Sequence, residues 1–338
     1  MSSFTLSTLP IINVAPLLDS GYDDAELRAS TSVALHDACV QYGFFYLDIS
    51  AYVDPSEPEQ LVELARSFFS LPQEEKDKLS LKHEDNARGY ATLKENVTKG
   101  KADNHEGLDF YKPVENPDKT KPLWGENQWP SVLDFKDKYQ RWVEKMKALG
   151  LIVMRAMADG LRMSPEEWQE LRDQVDDSFW VMRVIGYPPL PEDHDGISCG
   201  AHKDYGCLTF LHADPTPSAL QVYLRRPGVV KGMWINADPI PGCVVCNIGE
   251  MWEIWSNGMY RSTLHRVVHR GTNYRIPFFF EPNFDAHIKP LDAARRIQAG
   301  DTSRETIAGV NRSPVVYGDF LLKKVGNNFA SGEGRYDN

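Results

Sequence analysis

Basic residues are in short supply. The chain has 37 Lys and Arg against 48 Asp and Glu, a formal net charge of −11. Nucleic-acid binding draws mainly on Lys and Arg that neutralise phosphates, so this balance, with no basic stripe, argues against such a partner. Long apolar runs are also missing. With no segment able to span a bilayer, no basic-plus-apolar leader and no lipidation motif, the expectation is a soluble protein of the cytoplasm that engages no membrane. The five cysteines, Cys39, Cys199, Cys207, Cys243 and Cys246, are odd in number and scattered, which excludes a disulfide framework. Cys243-Val244-Val245-Cys246 has the spacing of a redox or zinc pair, but it lies in an apolar β-branched run. Residues three apart on a strand face opposite ways, so buried core thiols are the better reading. No Gly-rich phosphate loop of either common type follows a strand, and there are no internal repeats.

What is present is an ordinary globular composition. The 338 residues are 42% hydrophobic and 25% charged, enough for a substantial core in one large domain or two modest ones. Leu9-Pro10-Ile11-Ile12-Asn13-Val14 reads as a short strand. From Asp23, Leu27, Thr31, Ala34, Leu35 and Ala38 predict a helix that stops at Gly43, and Phe44-Phe45-Tyr46-Leu47 a buried strand after it. Leu61, Leu64, Ala65 and Phe68 mark a second helix, and Pro72 suits the first turn of another. From His83 to Pro130 periodicity fades, and the stretch reads as a long irregular region that lines a pocket. Phe135, Tyr139, Trp142, Met146, Leu149, Val153 and Met157 then form the apolar face of a long helix. Ser164-Pro165-Glu166-Glu167 carries the cap and first-turn signals of a short one. After Asp177 short β-rich runs separated by Gly and Pro turns predict an antiparallel sandwich or barrel. The tail from Gly326 to Asn338 reads as unstructured.

Two stretches of the β-rich half carry the chemistry, Ala201-His202-Lys203-Asp204-Tyr205-Gly206 and Ser262-Thr263-Leu264-His265-Arg266-Val267-Val268. Residues i and i+2 of a strand share a face, so His202 and Asp204 can grip one ion together, with His265 as a second imidazole. Two histidines and a carboxylate fill one face of an octahedron and leave three positions open for substrate and O2. That pattern belongs to non-haem Fe(II) oxygenases rather than to structural zinc. The alternative for His202 and Asp204 is a hydrogen-bonded structural pair. His83-Glu84-Asp85 has the same spacing, but it falls in the polar run Lys78 to Arg88, where a solvated loop or helix end is expected. His212 and His269, near strand ends, are expected to have no metal role.

Further segments extend the pattern: Gly43-Phe44-Phe45-Tyr46, Phe69-Ser70-Leu71-Pro72 with Glu75-Lys76, Arg183 through Tyr187-Pro188-Pro189, Leu220-Gln221-Val222, Asn247-Ile248-Gly249-Glu250 and Ser256-Asn257-Gly258. With Leu9-Pro10-Ile11-Ile12, His202-Lys203-Asp204 and His265-Arg266-Val267, they make the chain resemble the 2-oxoglutarate- and Fe(II)-dependent oxygenases of the isopenicillin N synthase-like kind over nearly its whole length. The resemblance implies an α+β fold with a mainly β core, a double-stranded β-helix or jelly-roll with flanking α-helices. It implies an N-terminal helical and mixed region over 1–176, the jelly-roll over 177–286, and a C-terminal helix and tail over 287–338. His202, Asp204 and His265 match the family's iron ligands, with 2-oxoglutarate and O2 as co-substrates.

One motif departs from the family. After the distal histidine the family carries Arg-x-Ser, which binds the far carboxylate of 2-oxoglutarate, or a substrate carboxylate in isopenicillin N synthase itself. Here Asn273 stands at the Arg position and Arg275 at the Ser position. Both lie on one face of the strand, so Arg275 can still present its guanidinium to a carboxylate, displaced by roughly 7 Å. A salt bridge on the barrel wall is its alternative role. Tyr187 matches a family tyrosine that points into the pocket. Alternation puts Ile185 and Arg183 on the same face, where Arg183 needs an anionic partner, either a protein carboxylate or a ligand.

The expected function is an Fe(II)-dependent oxygenase that couples oxidative decarboxylation of 2-oxoglutarate to hydroxylation, desaturation or ring formation in a small organic molecule, as in secondary metabolism. An oxidase of the same fold that uses no 2-oxoglutarate is one alternative, supported by the altered Asn273-x-Arg275. A non-catalytic ligand-binding protein on the same scaffold is the other. Oligomeric state is left open.

Overall fold

The computed structural model describes residues 8–18, 24–121, 123–192, 194–225, 232–300 and 313–326. Its strands are β1 (Ile11–Asn13), β2 (Phe44–Asp48), β3 (Gly89–Ala91), β4 (Val97–Thr98), β5 (Lys101–Ala102), β6 (Glu106–Tyr111), β7 (Val181–Tyr187), β8 (Ile197–His202), β9 (Leu208–Ala213), β10 (Leu220–Leu224), β11 (Met233–Asn236), β12 (Cys243–Ile248), β13 (His265–Val268), β14 (Asn273–Phe280), β15 (His287–Ile288) and β16 (Val315–Val316). The helices are α1 (Ala25–Gln41), α2 (Ser56–Phe69), α3 (Gln73–Asp77), α4 (Phe135–Gly160), α5 (Pro165–Arg172), α6 (Glu250–Trp255), α7 (Asp292–Gly300) and α8 (Tyr317–Gly326).

Eight strands form one sheet in the order β1-β2-β12-β9-β14-β7-β6-β3, and four form a second in the order β11-β10-β13-β8. From β7 to β14 the chain passes back and forth between them, with β10 and β11 a hairpin in the second sheet, and this is the double-stranded β-helix. Side chains alternate across the large sheet, so it serves two cores. On β14, Tyr274, Ile276, Phe278 and Phe280 join the core beneath the helices, with Phe45 and Leu47 of β2, Phe110 of β6 and the apolar face of α4. The other face supplies Phe44, Tyr46, Ile185, Tyr187 and Val245, which meet Leu220, Val222 and Val267 of the second sheet. The odd-numbered positions of β14 therefore look into the barrel.

Helix α4 carries the outer core, burying the whole stripe from Phe135 to Met157, each large apolar side chain adding about 1.5–3 kcal/mol. Its Gly150 lies flat against the Phe280 ring. The capping box forms as the sequence dictates: Ser164 Oγ accepts from Glu167 N–H, and the Glu167 carboxylate accepts from Ser164 N–H. Gly43 follows α1 at φ +62°, and a side chain there would strike Arg261 O, so glycine ends that helix.

Four expectations change. Leu27 and Ala34 of α1 are exposed, and the buried face is Ser32, Leu35, Ala38 and Cys39. Gly160 at the end of α4 meets Ser32 and His36, so among the described residues α4 packs on the second half of α1. The stretch from His83 to Pro130 is not irregular throughout, because β6 is a buried strand paired with β3 and β7. Its charges hide the pattern: Glu106 pairs with Lys76 at 2.6 Å and Asp109 with Arg183 at 2.7 Å. The run Lys78 to Arg88 is not simply solvated, since Asp85 and Arg88 are buried together. Among the described residues beyond 287 there are two helices, α7 and α8, and Gly326 closes α8. Residues 327–338 of the expected tail lie outside the described residues.

Candidate active site

His202 ends β8 and His265 begins β13, directly paired across the second sheet. Asp204 does not lie on a strand, as the i, i+2 argument supposed. It stands two residues past β8, in the turn before β9, and the turn still brings it to the histidines. Its Oδ1 is 3.7 Å from His202 Nε2 and 3.5 Å from His265 Nε2, and one ligand atom from each residue fits within 4.8 Å of the others. No other group of this kind occurs among the described residues. Each Nδ1 faces the carbonyl two residues before it, Gly200 O at 2.8 Å and Thr263 O at 3.0 Å, which fixes the tautomer and turns Nε2 to the shared point. Asp204 Oδ2 accepts from Thr209 Oγ1 at 2.5 Å and Asn247 Nδ2 at 2.6 Å, so Oδ1 is left to ligate.

The electrostatics of the trio suit a cation. Burial takes His265 down to about 4. For His202 burial is outweighed by Cys199 and Asp204, and its pKa is pushed up to about 10. Asp204, despite its burial, is lowered by the two imidazoles and its two donors. A metal bound here takes the place of any proton on the ligating nitrogens. Two imidazoles and one carboxylate with open positions fit Fe(II). The decoy does not compete. His83 is exposed and bonded to Lys78 O, and Asp85 points into an ion pair with Arg88. Cys243 and Cys246 fall in different cores, as alternation requires. His269 contacts Ser198 Oγ at 3.1 Å, away from the trio.

On β14, Arg275 is 3% exposed, and its Nε and Nη1 find no partner among the described residues. Its guanidinium carbon lies 5.7 Å from the ring centroid of buried Tyr187. Burial raises the Tyr187 hydroxyl pKa, and the Arg275 charge opposes that rise. Among the described residues no carboxylate forms a salt bridge with Arg275. Asn273 pairs across the sheet with Tyr187 and donates to Gly271 O at 2.9 Å. Around Arg275, with Leu211, Leu220 and Val245, is a cavity of about 560 Å³. Arg183 has the protein carboxylate it needed. Its Nε donates to Asp109 at 2.7 Å and its Nη2 to Asn96 Oδ1 at 2.9 Å.

A cavity of about 950 Å³ opens over the trio. Its wall includes residues that sequence reasoning passed over: Asn96, Asp103, His105 and Asp109 from the stretch called irregular, and Glu281 just past β14. His105 is held neutral, burial and the Arg183 charge taking it down to about 3. Burial pushes Glu281 up to about 8, opposed by the Tyr317 hydrogen bond. Glu281 was within reach of the sequence, because strand alternation from Arg275 through Phe279 leads to it. The four residues before β7 carried no such signal.

Residues 9–132 match the family described as non-haem dioxygenase in morphine synthesis, N-terminal, and residues 177–282 match the 2OG-Fe(II) oxygenase superfamily. A homoarginine-6-hydroxylase of Oryza sativa subsp. japonica is 38% identical over 95% of this chain and 97% of its own length. One of Arabidopsis thaliana is 39% identical over 96% and 98%. The crystal structure of a full-length Neurospora crassa protein in complex with alpha-KG and thymine superposes with a TM-score of 0.75 at 25% identity, covering 94% of this chain and 96% of that one. The chain belongs to the 2-oxoglutarate- and Fe(II)-dependent oxygenases. It is a dioxygenase of small organic molecules that works with Fe(II), 2-oxoglutarate and O2, and the trio fits the iron. The 2-oxoglutarate-independent oxidase and the non-catalytic binder are set aside. No helix among the described residues is long and apolar enough to cross a membrane.

Proposed function

We propose that this dioxygenase hydroxylates a small amino acid bearing a guanidino side chain, homoarginine or a close analogue, in the cytoplasm and without nucleic acid or membrane as partner. His202, Asp204 and His265 hold the iron, and Arg275, helped by Tyr187 and Asn273, receives the far carboxylate of 2-oxoglutarate. The observation that carries this reading is the unpaired, buried guanidinium of Arg275. A cation in that position is costly unless an anion completes it, and a carboxylate matches its fork. The kinship with two homoarginine-6-hydroxylases over nearly the full chain supports the substrate class. So does the cavity wall, which sets Arg183, Lys203 and Lys324 against Asp103, Glu250 and Glu281, a surface of both signs for a zwitterion. Five free cysteines accord with a reducing compartment.

Bound Fe(II) and 2-oxoglutarate supply the oxidising chemistry, in which O2 oxidises a substrate carbon while 2-oxoglutarate loses CO2. The chain's own part is positional. Asn247 and Thr209 fix which Asp204 oxygen ligates, and Gly200 O and Thr263 O orient the imidazoles. Val181, Leu264 and Phe279 line the cavity and keep water from the reacting carbon. The test is succinate release from 2-oxoglutarate with L-homoarginine, L-arginine, L-lysine and thymine, with products followed by mass. Homoarginine is expected to stimulate turnover most and to gain one oxygen. No stimulation by any guanidino compound overturns the substrate class.

A further inference from the structure

We propose that Glu281 is the specificity residue that receives the cationic end of the substrate. This rests on the guanidino reading above and gives it an address. The side chain lines the cavity over the trio and is 4% exposed. Its Oε2 accepts from Tyr317 Oη at 2.5 Å, and Oε1 has no donor among the described residues.

The other acids of that wall are already answered. Asp109 has Arg183 at 2.7 Å and Glu250 has Lys324 at 2.7 Å. Asp103 has both oxygens engaged, by Thr98 Oγ1 at 2.7 Å and Gly200 N–H at 3.0 Å, and Asp204 belongs to the trio. Among the described residues, Glu281 alone of these acids is a buried carboxyl with a free oxygen and no cation. Burial of such a group is unfavourable unless a partner arrives.

Its place along the sheet is also right. Phe279 pairs with Thr209, and Thr209 holds Asp204, so residue 279 marks the level of the trio. Glu281 lies one alternation beyond, roughly 7 Å further along the barrel face, on the side of α8. A substrate carbon presented to the iron with its guanidinium one or two bonds further on would bring that charge to Glu281. The neighbourhood is shaped around the carboxyl. A Cβ on Gly206 would fall 1.3 Å from Glu281 Oε2, so glycine there is what lets the side chain occupy the wall. A guanidinium suits it better than an ammonium, because its planar fork reaches Oε1 while Oε2 keeps Tyr317.

The experiment compares homoarginine with homocitrulline, its neutral urea isostere, in wild type, Glu281→Gln and Glu281→Asp. Binding to the anaerobic Fe(II)–2-oxoglutarate enzyme is followed by the perturbation of its visible absorption band, alongside kcat/KM. Loss of the charged hydrogen bond is expected to weaken homoarginine binding roughly 10- to 100-fold in Glu281→Gln and to leave homocitrulline unchanged or improved. Glu281→Asp, which keeps the charge but withdraws it, is expected to retain the preference for homoarginine with weaker binding, and it serves if the Gln variant folds poorly. If wild type binds neither compound, the guanidino reading fails. If wild type prefers homoarginine and Glu281→Gln keeps that preference in full, the assignment of Glu281 fails while the reading stands.

Discussion

Asn247 donates its side-chain N–H to Asp204 Oδ2 at 2.6 Å from the neighbouring strand β12, and Thr209 of β9 donates to the same oxygen. Two buried donors on one oxygen leave the other as the sole ligating atom, so the carboxylate is aimed before any metal arrives. Asn247→Ala removes one of the two orienting groups without touching a ligand. The expected result is a 10- to 100-fold loss of Fe(II) affinity, read by anaerobic equilibrium dialysis, with a smaller loss for Thr209→Ser, which keeps the hydroxyl. Wild-type iron affinity in Asn247→Ala would show that the turn alone aims Asp204.

Arg275 and Asn273 lie two residues apart on the barrel face of β14, but only Arg275 brings a charge, and its Nε and Nη1 find no partner among the described residues. Arg275→Ala is expected to raise the 2-oxoglutarate requirement by an amount worth about 2–5 kcal/mol. Asn273→Ala, which removes a neutral amide already bonded to Gly271 O, is expected to cost under about 1.5 kcal/mol. Titration of 2-oxoglutarate against the Fe(II) charge-transfer band separates the two. If Arg275→Ala binds 2-oxoglutarate as wild type does, the anchor is Arg183.

The short helix α5 offers a check on local signals. Ser164→Ala removes the acceptor for Glu167 N–H, and the expected cost is about 1 kcal/mol of stability with kcat and KM unmoved, since the cap touches neither the trio nor the cavity wall.

That cap and the stripe of α4 were legible in the sequence, for one reason: each depends on residue types at short, regular spacing. The trio was legible although its geometry was not, since Asp204 reaches the site through a turn. What stayed hidden depended on partners far along the chain. Strand β6 was obscured by Glu106 and Asp109, whose charges read as solvated until Lys76 and Arg183 are placed beside them. The buried face of α1 depends on where α4 meets it, at Ser32 and His36. Glu281 lies between the two cases, because alternation points to its face but only the fold shows that no cation among the described residues meets it.

The sharpest test of the hidden class is the pair Asp85 and Arg88, in the run that reads as solvated from sequence. Both side chains are 0% exposed. Arg88 donates to Asp85 at 3.1 Å, to Asn127 Oδ1 at 3.0 Å, and to Lys112 O and Leu123 O at 3.0 and 2.9 Å. Asp85 also accepts from the N–H groups of Ala87, Arg88 and Gly125. The pair thereby ties the segment before β3 to the segment after β6, next to Tyr111 of the cavity wall. Removing one partner leaves a buried charge unanswered, so Arg88→Met and Asp85→Asn are each expected to cost about 3–5 kcal/mol in urea unfolding. An exposed pair would cost at most about 1 kcal/mol, so the two descriptions are well separated. The double variant removes both charges at once and is expected to recover part of the loss, giving a coupling beyond the sum of the single effects. Iron binding in whatever fraction stays folded should be unchanged, because neither residue approaches the trio. Single variants that unfold as wild type does would place Arg88 in water.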